Sequence, residues 1–176
     1  LLSSLDVVDM LTDLDKRCAE ENVKADLLLL GGAGLMIALE LEGHGFRPTV
    51  ELDFHIIETT DKSSLARAFE GFDIDTLADI VDFPPIEDLE NDALFEIDNN
   101  FRAIRISVPS IEMLAISKMF SKREKDLRDL ETSELLSLCD AEKLTALIEE
   151  YKSYLTNPED GNLNVNNLKD VKRWEC

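Results

Sequence analysis

Residues 27–57 constrain the fold more than any other stretch. Four consecutive leucines, Leu27–Leu30, stop at Gly31-Gly32, and a second apolar run leads on to alternating residues from Val50 to Ile57. An apolar run this short, bounded by glycines, reads as a strand buried on both faces. Gly31, Gly32 and Gly34 permit positive φ and the close approach of a phosphate, and Leu35-Met36-Ile37-Ala38-Leu39 then begins a helix whose N-terminal amides favour anions. Val50, Leu52, Phe54 and Ile56 alternate with Glu51, Asp53, His55 and Ile57, the pattern of a half-buried strand, so Glu51 and Asp53 are expected on one face. Carboxylates about 7 Å apart along a strand can converge on a hard divalent cation, Mg²⁺ or Mn²⁺, that keeps substrate phosphates in its shell. That arrangement suits phosphoryl or nucleotidyl transfer. An acid-x-acid pair alone is also what an ordinary solvated strand face carries, and the glycine turn before it favours the chemical reading.

Composition narrows the classes further. The chain has 176 residues, 44% of them hydrophobic, enough for one domain or one domain with a helical appendage. Eighteen basic against thirty-eight acidic residues leave a net charge of −20, which repels a nucleic-acid backbone and argues against nonspecific DNA binding. A nucleotide carried with a divalent metal stays compatible, because the metal supplies positive charge, and a basic partner protein would be attracted. Cys18, Cys139 and Cys176 are widely spaced, with only His44 and His55 to join them, so a zinc site is not expected. Reduced cytosolic thiols are expected instead, with Cys18 and Cys139 as small core residues. The longest apolar stretch, Leu27–Leu39, is shorter than the roughly 20 residues of a spanning helix, so a soluble, cytoplasmic protein without membrane contact is expected.

Along the chain, Ser3 and Ser4 are candidate N-caps for an amphipathic helix through Leu5, Val8, Leu11 and Leu14 that ends before Asn22. Gly43, Gly45 and Pro48 punctuate the return into the acidic strand, with His44 a loop residue, and a helix is expected from about Ser63 to Phe69. Residues 68–101 hold eleven acids and no Lys or Arg, a solvated acidic face and loop around Pro84-Pro85. Strands Ala93–Asp98 and Phe101–Val108 are expected to form a tight hairpin through Asn99-Asn100. After Pro109 the pattern is helical: Ser110 is a candidate N-cap, Ile111, Leu114, Ala115 and Met119 bury one face, and Lys118 falls at its edge. Asp126 and Asp129 share one side of the next helix, where Arg123–Asp126 and Lys125–Asp129 pairs would lace the surface. Thr132 or Ser133 and Asp140 can cap two more helices, the second carrying Leu144, Leu147, Ile148, Tyr151 and Leu155. Leu168, Val171 and Trp174 can dock a last turn. The division expected is an α+β core over 1–108, a small mixed sheet flanked by helices, and a helical part over 109–176 packed on it.

Gly31-Gly32, then Arg47-Pro48-Thr49-Val50-Glu51-Leu52-Asp53, then Lys118 with Arg123, Lys125, Asp126 and Asp129, come in an order that resembles the minimal nucleotidyltransferase-fold proteins related to AbiEii-type toxins of bacterial toxin–antitoxin systems. The likeness extends from about Leu27 to Leu130. It implies that Glu51 and Asp53 bind the metal and that the glycine turn, Arg47 and Thr49 contact a nucleoside triphosphate. It further implies that Lys118 and Arg123 bind phosphate, with Asp126 or Asp129 as general base or orienting acid, all of which is compatible with charge stabilisation and proton removal in phosphoryl transfer. An RNA or protein acceptor and an antitoxin partner follow by the same resemblance. Glu51 stands where the family often has Asp, and no third carboxylate is evident: the Phe101–Val108 strand offers Arg102 and Arg105, leaving Glu96 and Asp98 on the preceding strand as weak substitutes.

The net charge and the missing third acid also support a second reading, in which the same fold is a noncatalytic acidic module that binds a basic partner.

Overall fold

The computed structural model describes residues 1–76, 84–92 and 95–168. In chain order the elements are α1 (Ser4–Glu20), β1 (Ala25–Leu30), α2 (Gly31–Leu41), β2 (Leu52–Thr59), α3 (Lys62–Phe69), β3 (Ile74–Thr76), α4 (Ile86–Asn91), β4 (Phe95–Glu96), β5 (Ile104–Val108), α5 (Ile111–Met119), α6 (Glu124–Thr132), α7 (Leu135–Leu138) and α8 (Ala141–Ser153), followed by a 3₁₀ turn at Asn164–Asn166. They fall into two compact units, Leu1–Ile80 with Glu90–Ser110, and Val81–Leu89 with Ile111–Cys176. Among the described residues no helix is long and apolar enough to cross a membrane.

The first unit is built on a five-stranded sheet in the order β3-β2-β1-β5-β4. Neighbours β1/β2 and β4/β5 run antiparallel, while β1/β5 and β2/β3 run parallel, giving the mixed sheet of the α+β class that the sequence predicts. Strand β1 lies between two neighbours, and its Leu27–Leu30 run is buried, as that composition requires. Ser3 caps α1 through a capping box with Asp6, and Val7, Leu11, Leu14 and Cys18 bury one stripe of that helix at i, i+3/i+4 spacing. Asp61 caps α3 by accepting the Ser64 amide at 2.6 Å, and Phe69 of α3 stacks on Phe54 of β2.

The expected hairpin forms as the antiparallel β4/β5 pair, but a contact between α1 and the start of β5 takes the place of its tight turn. The carboxylate of Asp15, nearly buried in α1, accepts the amides of Arg102, Ala103 and Ile104 at 2.7–3.1 Å. With those amides taken, β5 starts at Ile104 rather than Phe101, and the connection from β4 is longer than two residues, although Asn100 does adopt a φ of +55°. Of the expected first strand, Ala93 and Leu94 lie outside the described residues.

The second unit is helical. Its α5 is buried nearly all round, Glu112 and Lys118 included, where one buried face was expected. Glu112 accepts the Asp140 amide at 2.8 Å and the Lys143 ammonium at 3.2 Å, while Asp140 caps α8 through the Lys143 amide. No side chain of the N-cap residue Glu134 caps the one-turn α7, though Ser133 Oγ accepts the Leu135 amide at 3.3 Å. Leu144 and Tyr151 anchor α8, Tyr151 donating to Asp88 at 2.8 Å and meeting the Phe120 ring edge-on. Leu168 is half-buried, whereas Val171, Trp174 and Cys176 lie outside the described residues.

Candidate functional site

The end of β1 and the start of α2 are continuous. Leu30 is extended, Gly31 turns the chain at a φ of +58°, and the helix begins at once, with no side-chain hydrogen bond capping it. Its first amides therefore lack intrahelical partners, the usual basis of anion binding at a helix start. Because Leu30 is the register partner of Asp53, residue 31 comes up beneath the Asp53 carboxylate. A Cβ on residue 31 would overlap Asp53 Oδ2 and stand 2.8 Å from its Cγ. One on residue 32 would stand 2.9 Å from Thr49 Oγ1 and 4.0 Å from Arg47 Nη1. Only glycine fits at 31, by space and by backbone angle.

Thr49 is held there by its backbone, which exchanges two hydrogen bonds with Leu2, at 2.6 and 3.1 Å. Thus Gly31, Gly32, Arg47, Thr49 and Asp53 come together at one helix start.

Glu51 does not share their strand. The ladder begins at Leu52, Glu51 sits exposed in the preceding bend, and Val50, expected on the buried side, is 52% exposed. The Leu2 bridge takes residue 49 out of the sheet, and Thr49 Oγ1 donates to the Glu51 carbonyl at 3.3 Å, so alternation cannot extend back to residue 50. His55, the next residue outward from Asp53, bonds Glu90 Oε1 at 2.6 Å. His44 is half-buried in the loop after α2.

A carboxylate that the sequence did not single out lies beside Asp53. In the parallel β2/β3 pair Asp53 and Asp75 are register partners, so their side chains leave the same face of strands about 4.8 Å apart. The signal was an acid between Ile74 and Thr76 after a helix, but three residues are too few for periodicity to mark. Glu96 and Asp98 are no substitutes: β1 and β5 separate β4 from β2, roughly 14 Å of sheet. Arg105 also draws Glu96 to 3.6 Å, on β5. Among the described residues no three Asp, Glu, His or Cys side chains are gathered so as to hold a metal by themselves.

The later motif forms a buried ion network within the second unit. Lys118, 7% exposed at its side chain, donates to Asp126 Oδ1 at 2.9 Å and to Asp129 Oδ2 at 2.8 Å. Asp126 Oδ2 also accepts Ser121 and Arg123 at 2.7 Å each. Burial would raise the Asp126 carboxyl, but the Lys118 charge and these hydrogen bonds outweigh it and hold the group below the usual carboxylate range. Lys118 is thus drawn inward from the helix edge where its spacing put it. The expected Arg123–Asp126 pair is present, whereas Lys118 takes the place expected for Lys125 at Asp129. Asn164 pins the α5–α6 connection, donating to the carbonyls of Lys118 at 3.0 Å and Arg123 at 3.1 Å. Arg123 keeps 77% of its side chain exposed.

Residues 8–175 match the family described as nucleotidyltransferase of unknown function, DUF6036. The chain belongs to this family. No curated protein and no solved structure matches it. The nucleotidyltransferase resemblance read from the sequence agrees with that family at its broad level, and the chemistry such a protein requires is a held triphosphate with its charge offset. In this DUF6036 chain the glycine turn with Arg47 and Thr49, and the acids Asp53 and Asp75, lie in the first unit, while Lys118, Arg123, Asp126 and Asp129 lie in the second.

Proposed function

We propose that this chain is a Mg²⁺- or Mn²⁺-dependent nucleotidyltransferase of the cytoplasm that moves a nucleoside monophosphate from a nucleoside triphosphate to an RNA or protein acceptor. In this reading it is the toxin of an AbiEii-type pair whose antitoxin presents a basic surface to it. The observation that carries the reading is the closeness of Gly31 to Asp53, which sets an anion-binding helix start against a carboxylate with no side chain between them.

The donor chemistry fits a divalent ion. Magnesium is held in such sites by one or two carboxylates and the substrate phosphates rather than by a full protein cage. Asp53 and Asp75 are oxygen donors of that kind, side by side on β2 and β3. These residues would hold the ion, which when bound offsets charge on the α-phosphate and the departing pyrophosphate. The Gly31 and Gly32 amides receive phosphate oxygens, and the Arg47 guanidinium offers them paired N–H donors. In the second unit Arg123 keeps its side chain exposed at the start of α6, which the buried network of Lys118, Asp126 and Asp129 holds. The acceptor oxygen bonds to the α-phosphorus, the bond to the β-phosphate oxygen breaks, pyrophosphate leaves, and the acceptor proton passes to a carboxylate or to water.

The test is incubation with each α-labelled nucleoside triphosphate and Mg²⁺ in the presence of cell RNA and protein. Label transfer by the wild type that falls at least 100-fold in Asp53→Ala, and clearly in Asp75→Asn, is the expected result (roughly the loss when a charge-stabilising group is removed). No transfer by either protein overturns the reading and leaves the acidic interaction module.

A further inference from the structure

The first unit also contains a cleft of about 390 Å³, formed by the start of α1, the second half of α2 and the loop returning toward β2. Met36 and Glu40, one turn apart on α2, share a helix face and line it. Ser3 and Pro48 line it by register. Leu2 and Thr49 are an antiparallel bridge pair, so Ser3 stands opposite Pro48, and alternation along extended backbone turns both away from Thr49. The exposed Val50 follows Pro48 on that side. Leu5 on α1, next to the lining residue Ser4, is 76% exposed, and Leu41, next to Glu40, is 68% exposed. One exposed leucine is ordinary on a protein surface, but three large apolar side chains bordering a cleft that Met36 and Phe46 line form a contact surface.

Charge says what covers it. The segments 1–9 and 36–51, which build the cleft and its border, carry the exposed acids Asp6, Asp9, Glu40, Glu42 and Glu51 against a single arginine, Arg47. A second copy of the chain would bring the same acids and a net charge of −20 to this face, and an anionic membrane surface is repelled likewise. We propose that the cleft is the docking site for a basic, amphipathic segment of a partner protein. One apolar side chain of that segment seats between Met36, Phe46 and Pro48, its apolar neighbours rest on Leu5, Leu41 and Val50, and its lysines or arginines face Glu40, Glu42 and Glu51. An amphipathic helix laid in an apolar groove is held through anchors three or four residues apart, while charges at the rim steer its approach. The proposal needs a basic protein partner and not nucleotide transfer, so docking and label transfer can fail separately.

The probe is a fluorescent model helix of leucines and lysines, about five turns long with one apolar stripe, titrated into the full chain. Two control peptides accompany it: the same residues shuffled so that the stripe is lost, and glutamates in place of the lysines. The expected result is saturable binding of the striped basic peptide, about tenfold or more tighter than either control. Leu5→Ser combined with Val50→Ser, both exposed and so harmless to the core, should weaken it about fivefold or more, and so should Glu40→Lys. Glu149→Lys, at an exposed acid of α8, carries the same charge change and should alter it less than about twofold. Circular dichroism identical to the wild type reports that each variant is folded, and peptide-induced amide shifts in the nitrogen-15-labelled chain should cluster on residues 3–5 and 36–50. Equal weakening by Glu40→Lys and Glu149→Lys, equal binding of striped and shuffled peptides, or shifts spread over the whole surface overturns the proposal, since each reports diffuse attraction to net charge. Dimerisation of the free chain that Leu5→Ser and Val50→Ser abolish makes a second copy the occupant and overturns it as well. Label transfer by the same preparations bears on the nucleotidyltransferase reading alone.

Discussion

Gly31 lies beneath Asp53, with the residue 31 Cα so placed that a Cβ would overlap the carboxylate and stand 2.8 Å from its Cγ. The antiparallel register that pairs Leu30 with Asp53 imposes this closeness. An acid on β2 and the first amides of α2 are consequently arranged by the sheet itself.

Substitution of that glycine has a calculable ranking. Gly31→Ala meets both a left-handed backbone and the Asp53 side chain, and should lose about 2 kcal/mol or more of stability. Gly43→Ala, at a φ of +79° but in open space, should lose about 1 kcal/mol. Gly45→Ala, with neither constraint, should stay within about 0.5 kcal/mol of the wild type. Urea unfolding of the three variants checks the order, and a Gly31→Ala protein as stable as Gly43→Ala would remove the steric argument.

Lys118 answers two buried carboxylates, so truncating it alone should be severe. Lys118→Met removes the buried ammonium that Asp126 and Asp129 share and is expected to cost about 3–5 kcal/mol. Adding Asp126→Asn and Asp129→Asn should restore much of that loss, because the damage comes from uncompensated charge rather than from a missing attraction. Thermal melts of the single and triple variants distinguish the two: equal destabilisation of both would contradict the network as described.

The same network predicts an acid limb. Asp126 titrates below the ordinary 3.8 in the folded protein, so the unfolded chain binds more protons as the pH drops. Stability from this group is whole above about pH 4 and is lost as the pH falls through the folded value. Asp61 and Asp160, also lowered by hydrogen bonds, leave a residual slope. The melting temperature of Asp126→Asn should accordingly depend less on pH between 4 and 2 than that of the wild type, roughly the window in which a depressed carboxylate titrates. Parallel curves for the two proteins would contradict it.

Thiol chemistry gives an independent check on packing. Burial pushes the Cys18 thiol up to about 11 and the Cys139 thiol up to about 12, so neither is a thiolate near neutrality. At pH 8 iodoacetamide should leave both unmodified in the native protein and label both in urea, as read by peptide mass mapping. Since both values are raised on folding, the stability linked to them is present below their ordinary 9.0 and disappears as the pH climbs through 11 to 12.

Periodicity and capping rules located β1, α1 and the α8 cap, because each rests on neighbours in the chain: four leucines, Ser3, Asp140. What escaped them depends on partners far away. Val50 and Glu51 continue an alternating pattern, yet the bridge from Leu2 ends the sheet before them. Lys118 is an edge position by spacing, but two acids eight and eleven residues further on draw it inside. Asp75 has no visible pattern in a three-residue strand, and only strand order places it beside Asp53. For the candidate site, Gly31, Gly32 and Asp53 were legible because their spacing implies strand, turn, helix and return strand, while Arg47 and Thr49 came only with the family resemblance. The acids across the sheet were not.

The carboxylate of Asp15 also bears on when this protein can finish folding. It reaches amides 87 to 89 positions further along the chain, and the central parallel pair joins Ala25 to Ile104 across a similar distance. Closing so long a loop is an entropic cost met before the contact gives anything back, which makes such pairings slow. On the ribosome α1 and β1 emerge well before their partner, and the centre of the sheet stays open until residues 102–108 have been synthesised. Asp15 is then a ready acceptor waiting for the arriving strand. Its replacement by Ala should show in the refolding arm of a chevron plot, as slower capture of β5, more than in the unfolding arm.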